Sequence, residues 1–196
     1  MVDVGYVNAK DYGAKGDGST DDTTAINNAL ASGKPVYFHA GTYLIDVISR
    51  TASDHIFIFG EGMGRTVFKR KNNNVNESDE IKIMGQFRIT GSNGLVVMRN
   101  FSIDANGTNQ PSLSFADAEN PTEDEIYSQQ FSAGFKVQPH GGTIQNAVFE
   151  NVEVIDPTAD GVQMTETTSG GGFGTIAIKG CKGRNRGEYP RSDSLL

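Results

Sequence analysis

Phe87-Arg88-Ile89-Thr90, Phe135-Lys136-Val137-Gln138 and Val162-Gln163-Met164-Thr165 are three versions of one four-residue phrase. In each, apolar and polar residues alternate, the period-two signature of a strand with one covered and one exposed face. A second unit follows each phrase after a short turn. Gly94-Leu95-Val96-Val97-Met98-Arg99-Asn100-Phe101-Ser102-Ile103 recurs as Gly174-Thr175-Ile176-Ala177-Ile178-Lys179-Gly180-Cys181, with Val148-Phe149-Glu150-Asn151-Val152-Glu153-Val154 between them. Self-similarity at roughly 25–30 residues, with several short strands per period, is the pattern of a solenoid. Helical periodicity is missing from the repeats, which excludes helical solenoids, and the fixed Leu and Asn ladder of leucine-rich repeats is absent. A parallel β-helix fits, with Asn100 and Asn151 at stacked turns. Asn tolerates left-handed backbone there, and its amide can bond its neighbour one coil away.

One helix lies upstream. Ser19-Thr20-Asp21-Asp22 offers capping side chains and negative charge at a helix start. Ala25, Ile26, Ala29 and Leu30 share a face, and Gly33 before Pro35 is a stop signal. An amphipathic helix this short must cover something, and the open end of a coil stack needs covering. Val36-Tyr37-Phe38, Tyr43-Leu44-Ile45 and Ile56-Phe57-Ile58-Phe59 read as further strands. The expected fold is all-β: a right-handed parallel β-helix with an N-terminal capping α-helix. Residues 1–34 form the opening motif and capping helix, and 35–187 the coils, about five at the repeat length above. A loop insertion at 105–130 and a polar tail at 188–196 complete the layout.

Composition narrows the function. The 196 residues carry a formal charge of −7, so general nucleic-acid binding is not expected. No apolar run approaches the roughly 20 residues that span a bilayer, so no membrane insertion is expected. Met1-Val2-Asp3-Val4 lacks the basic and apolar regions of a signal peptide. The single cysteine, Cys181, excludes an internal disulfide and a Cys-rich zinc site.

The stretch from Ala9 to Ile26, with Gly13, Gly16-Asp17-Gly18 and Asp21-Asp22, resembles the opening motif of the pectate-lyase-like right-handed β-helix superfamily. Pro35-Val36-Tyr37-Phe38-His39-Ala40-Gly41-Thr42-Tyr43 resembles its next signature, with His39 where proline is common, and Gly60-Glu61-Gly62-Met63-Gly64-Arg65-Thr66 its third. These motifs span about residues 8 to 70, and the repeats extend the match to about 187. The family includes phage tailspike depolymerases, polygalacturonases, rhamnogalacturonases, alginate lyases and mannuronan epimerases. The resemblance implies a tailspike or tail-fibre domain recognising a surface polysaccharide. It also implies a homotrimer, a virion-tail location and contacts with other virion tail proteins. The alternatives are an active polysaccharide hydrolase or lyase, or a structural virion component. The last segment, Cys181 to Glu188, resembles a turn leading into another coil, so a longer chain or a second chain is expected to cover that end.

Several residues are candidates for chemistry. If Phe87, Ile89, Phe135, Val137, Val162 and Met164 face inward, then Arg88, Lys136 and Gln163 form one exterior column, and Thr90, Gln138 and Thr165 the next. Rungs about 4.8 Å apart would let that column track an extended polymer, and its two cations favour an anionic one. Glycoside hydrolysis needs paired carboxyl groups. Asp156 and Asp160 are the nearest candidates, with Glu166 just after the third phrase and Asp104 expected one rung from Asp156. Asp160-Gly161-Val162 resembles the Asp-Gly-Ile of polygalacturonases, although that family's paired aspartates and Gly-His-Gly are missing. Lyase or epimerase chemistry needs a base near the sugar C5 proton and a cation on the carboxylate. Lys136, Arg88 and His140 are available, with Gly141-Gly142 giving room. Alginate epimerases of the superfamily carry Asp-Pro-His-Glu where Gln163-Met164-Thr165-Glu166 stands, and here the glutamate alone matches. No metal or other cofactor is expected. Asp17, Asp21 and Asp22 read as turn and capping residues. Asp117, Glu119, Glu123, Asp124 and Glu125 read as a solvated acidic loop, without the spacing of a calcium loop. Gly13-x-x-Gly16-x-Gly18 lacks the Lys-Ser/Thr ending of a phosphate loop.

Overall fold

The computed structural model describes residues 5–46, 48–51, 55–71, 83–91, 95–104, 106, 131–139, 143–155, 162–164 and 172–184. In chain order the described elements are β1 (Val7–Asn8), a 3₁₀ turn (Ala9–Tyr12), β2 (Asp17–Asp21), α1 (Thr23–Ala31), β3 (Val36–Tyr37), β4 (Gly41–Ile45) and β5 (Ile48–Thr51). There follow β6 (Ile56–Phe59), β7 (Thr66–Arg70), β8 (Ile83–Gly91), β9 (Leu95–Asp104), β10 (Phe131–Pro139), β11 (Thr143–Ile155), β12 (Val162–Met164), β13 (Gly172–Lys179) and β14 (Lys182–Arg184). For β8, β10 and β12 the description is of backbone pairing. Of the loop insertion expected at 105–130 residue 106 alone is described, and the tail expected at 188–196 lies outside the described residues.

Every described strand pairing is parallel, and pairing joins equivalent strands of successive coils. One flank runs β1-β3-β6-β9-β11-β13, a second β2-β4-β7-β9-β11-β14, and a third β5-β8-β10-β12. The long strands β9 and β11 belong to two flanks because each turns a corner, at Asn100 (φ 62°) and Asn151 (φ 51°), with Gly180 (φ 60°) at the matching place after β13. Asn151 Nδ2 donates to Asn100 Oδ1 at 3.1 Å, so the expected corner stack is present. Gly60 sits against the same corner. A Cβ there would meet the Asn100 carbonyl oxygen at 2.4 Å, which leaves glycine as the residue that fits.

The core is a set of inward columns. Val36, Ile58, Met98 and Phe149 stand in register on four successive strands, each fully buried. On the second flank the rings of Tyr43, Phe68 and Phe101 continue the packing, with Phe68 edge-on to Phe101 at 5.1 Å and to Phe38 at 4.8 Å. Such edge-to-face pairs add to the area they bury. Gly16 of the opening motif lies on the Tyr43 ring, where a Cβ would approach a ring carbon to 2.9 Å; its carbonyl also accepts from Thr42 N at 2.9 Å. The opening glycines and Gly41-Thr42-Tyr43 are thus two sides of one contact.

Helix α1 buries Ile26, Ala29 and Leu30 in this core, the face the sequence spacing predicts. Its start differs from expectation. Residues Asp17 to Asp21 are strand β2, and Asp22, at the N-cap position, makes no side-chain capping bond. Its buried carboxylate instead accepts from the backbone N–H groups of Lys15 (2.7 Å) and Gly16 (3.0 Å). The part-buried N–H donors of the glycine turn need an acceptor, and that demand takes the side chain that capping would have used. Asp21 fills the role at the helix start, accepting from Thr23 N at 3.0 Å. Gly33 is left-handed (φ 69°) with its N–H on the Leu30 carbonyl, as a helix stop should be.

The far end of the stack is different. Ile178 and Ile176 stand in register with buried Phe149 and Ala147, yet are 56% and 41% exposed. Among the described residues nothing is paired to β13 on its outer side. Phe149→Ala is therefore expected to cost about 3–5 kcal/mol in urea unfolding. Ile178→Ala, at a homologous inward position but half exposed, is expected to cost about 1 kcal/mol.

Candidate functional site

The third flank carries the sequence-predicted ladder. Backbone register aligns Ser49, Arg88, Lys136 and Gln163 as one column, and Thr51, Thr90 and Gln138 as the next. The neighbouring column is Ile48, Phe87, Phe135 and Val162. Ile48 is buried at 1% exposure, and the Arg88–Lys136 column occupies the alternate register positions of the same strands. The ladder begins one rung earlier than the sequence phrases suggest, because β5 (Ile-Ser-Arg-Thr) departs from their pattern. His140, Asp156, Asp160, Thr165 and Glu166 lie outside the described residues.

One expected juxtaposition is corrected. Asp104 pairs with Ile155 rather than Asp156. The matching corners at Asn100 and Asn151 fix the register, and four residues on from each the partners are 104 and 155. Asp104 is buried at 4% exposure and accepts from Asn106 N at 2.9 Å, a structural position rather than an open carboxylate.

The opening acidic residues are tied into turns, as expected. Asp17 Oδ1 accepts from Thr20 N (2.7 Å) and Ser19 N (2.9 Å), and these bonds, that from Thr20 foremost, hold its carboxyl well below the usual range. Asp21 is held down at about 2, chiefly by its bond from the Lys71 ammonium and then by Thr23. Among the described residues no group of three His, Cys, Asp or Glu is placed to hold a metal ion.

A second cluster, not foreseen from sequence, lies on the first flank at its N-terminal end. Glu61 joins His39 Nδ1 (2.9 Å from Oε1) and Arg65 Nη2 (2.9 Å from Oε2). Its carboxyl is held below the ordinary range, first by the His39 bond. The Tyr37 ring meets His39 edge-on at 5.1 Å and Tyr6 at 5.7 Å. Tyr37 is shifted up by desolvation and then by the Glu61 charge. One rung on, Phe59 is paired to Tyr37 through the backbone and stacks with Phe57 at 6.5 Å and 7°. The available signals were His39 at a place where the resembling family has proline, and the alternation of Tyr37 and His39 along one strand edge.

With this architecture in hand, comparison with known proteins is decisive at the level of family. A family model described as rhamnogalacturonase A/epimerase, pectate lyase-like, matches residues 6–187. The chain belongs to that family. The mannuronan C5-epimerase AlgE3 of Azotobacter vinelandii is 30% identical over 180 residues, covering 78% of this chain and 9% of that protein. The preneck appendage protein of Bacillus phage PZA is 33% identical over 97 residues, covering 44% of this chain and 11% of that protein. The chain thus spans about a tenth of the length of these relatives. Among solved structures, the A-module of Azotobacter vinelandii epimerase AlgE6 superimposes with a TM-score of 0.61 at 21% identity, covering 89% of this chain and 43% of that one. Bacteriophage phi29 gene product 12 gives 0.59 at 19% identity, covering 89% and 21%. These structural likenesses establish the pectate-lyase-like β-helix and nothing finer.

Within this family's opening motif, the Asp21–Lys71 pair ties β2 to the end of β7 and makes stability acid-sensitive. The Asp21 carboxyl is depressed from 3.8 to about 2, so its contribution is full above the unfolded value and is lost as pH falls through that window. The exchange of Asp21→Asn is expected to flatten the fall of the urea midpoint across the same window, while lowering the midpoint slightly at neutral pH because the pair is half exposed.

Proposed function

We propose that this chain is a β-helix domain of a phage tail-type protein that recognises a surface polysaccharide along the β5-β8-β10-β12 flank. The observation that carries the reading is the register of Arg88 and Lys136 on adjacent strands, between Ser49 and Gln163. With rungs about 4.8 Å apart, a polymer lying parallel to the coil axis meets hydrogen-bonding or cationic positions in succession. Two adjacent cations favour an anionic glycan of the uronate type. Gln138 extends the surface sideways, and His140 and Glu166, which follow β10 and β12 in sequence, are counted with the proposed site. A phage appendage relative supports the virion-tail setting, and assembly as a homotrimer in contact with other tail proteins is part of the same reading.

The mannuronan epimerase relative, matched over 78% of the chain, favours a second reading in which the domain also acts on a uronan. Arg88 and Lys136 would then neutralise the sugar carboxylate while a neighbouring group handles the C5 proton. His140 is the candidate base. Asp156 and Asp160 would serve a hydrolase instead.

Affinity electrophoresis through polymannuronate and through a neutral glucan tests the binding reading. Arg88→Ala/Lys136→Ala is expected to weaken polymannuronate binding about 10- to 100-fold, the loss of one to two charge-assisted hydrogen bonds. Thermal unfolding should stay unchanged, and added salt should weaken the wild type more than the variant. Unchanged retardation removes the ladder. Absorbance from unsaturated uronate, or release of reducing ends, separates lyase and hydrolase from binding alone.

A further inference from the structure

From the first flank we infer that Tyr6, Tyr37 and Phe59, with His39 and Glu61, form a second saccharide subsite that takes an uncharged pyranose rather than a uronate. This inference rests on the polysaccharide-recognition reading but concerns a different face of the stack. Tyr37 and Phe59 stand on the consecutive strands β3 and β6, in register with Asn8 of β1, while Tyr6 precedes β1 and lies against Tyr37 at 5.7 Å. Tyr6 is 68% exposed, far beyond what a packing residue requires. The apolar face of a pyranose is matched by flat rings of this kind, and the exposed Tyr6 offers a hydroxyl to the sugar's own hydroxyls, while that of Tyr37 is hydrogen-bonded to Glu61.

The polar half of the subsite is pre-arranged. Glu61 holds His39 through Nδ1 at 2.9 Å, which leaves Nε2 as the ring atom free to meet a ligand hydroxyl. Arg65 at 2.9 Å on the other carboxylate oxygen neutralises Glu61, so the cluster offers no excess positive charge to a uronate. Farther along the same column the rings give way to the Arg99–Glu150 ion pair and then Lys179, which limits the stripe to about three rungs, roughly 10 Å. That is short for a stable contact between copies of the chain, which needs about 800 Å² per partner. It suits a short run of sugar units.

Saturation-transfer NMR with laminarihexaose, cellohexaose and hexamannuronate tests this, alongside light scattering and thermal unfolding of each variant. The expected result is transfer from a neutral hexaose that persists in high salt and in Arg88→Ala/Lys136→Ala. Tyr6→Ala should weaken it about tenfold without lowering the unfolding temperature, and Tyr6→Phe should retain most of it. Adding Tyr37→Ala should abolish it. Neutral-hexaose binding unchanged in Tyr6→Ala/Tyr37→Ala overturns the subsite. So does transfer from hexamannuronate with none from either neutral sugar, which leaves the third-flank reading standing. Absence of binding by every hexaose overturns both. A change of mass in Tyr6→Ala with sugar binding intact assigns the stripe to contact between copies and overturns the inference.

Discussion

The corner at Asn100 and Asn151 is the constraint on which the rest of the molecule depends. A left-handed residue turns each long strand through the angle between two flanks, and the amide of one coil bonds the amide of the next at 3.1 Å. Fixing the corner fixes the register on both sides of it. On one side, Met98 falls on Phe149; on the other, Phe101 falls on Val152. Because side chains alternate with period two, a slip of a single residue would move every buried residue of a coil to the outside. Gly180 continues the corner into the last described coil, and Gly60 accommodates it in the coil before Asn100, where any side chain would collide with the Asn100 carbonyl.

This constraint explains how one scaffold supports unlike surfaces. The inward columns must be apolar and matched, whereas each outward column is free to vary from rung to rung. On the first flank that freedom gives rings followed by an ion pair. On the third flank the corresponding register positions hold Ser49, Arg88, Lys136 and Gln163 in sequence. The burial of Ile48 and the exposure of Ile178 show the same rule from its two ends: position in the column sets the direction of a side chain, and a neighbouring coil is what buries it.

Periodic features were therefore readable from sequence, and singular ones were not. Phe87, Phe135 and Val162 pair as their shared phrase requires, and α1 buries the face its spacing predicts. Of the two roles its context offers, Asp22 takes the turn rather than the cap, because its carboxylate answers to Lys15 and Gly16, brought near by the glycine turn. Asp104 falls on Ile155, one residue short of Asp156, because similarity of short strands does not fix register; the Asn corner does. The His39–Glu61–Arg65 cluster stayed hidden since its members come from successive coils, and nothing in either strand alone identifies the other as its partner.

Net charge and local charge also pull in different directions here. The chain carries −7, so a polyanionic glycan approaching from a distance meets repulsion, not attraction. Salt reduces that field over a Debye length of about 8 Å, after which the nearest groups decide. On the proposed reading, a cationic column then favours the contact complex without accelerating the encounter, and specificity would reside in how long a chain stays on the ladder rather than how fast it arrives. For an uncharged saccharide no such barrier exists. If both proposed sites operate, a receptor polymer with charged and neutral sugars would be held by its uncharged units on the ring-bearing flank and selected by its acidic units along the Arg88–Lys136 column.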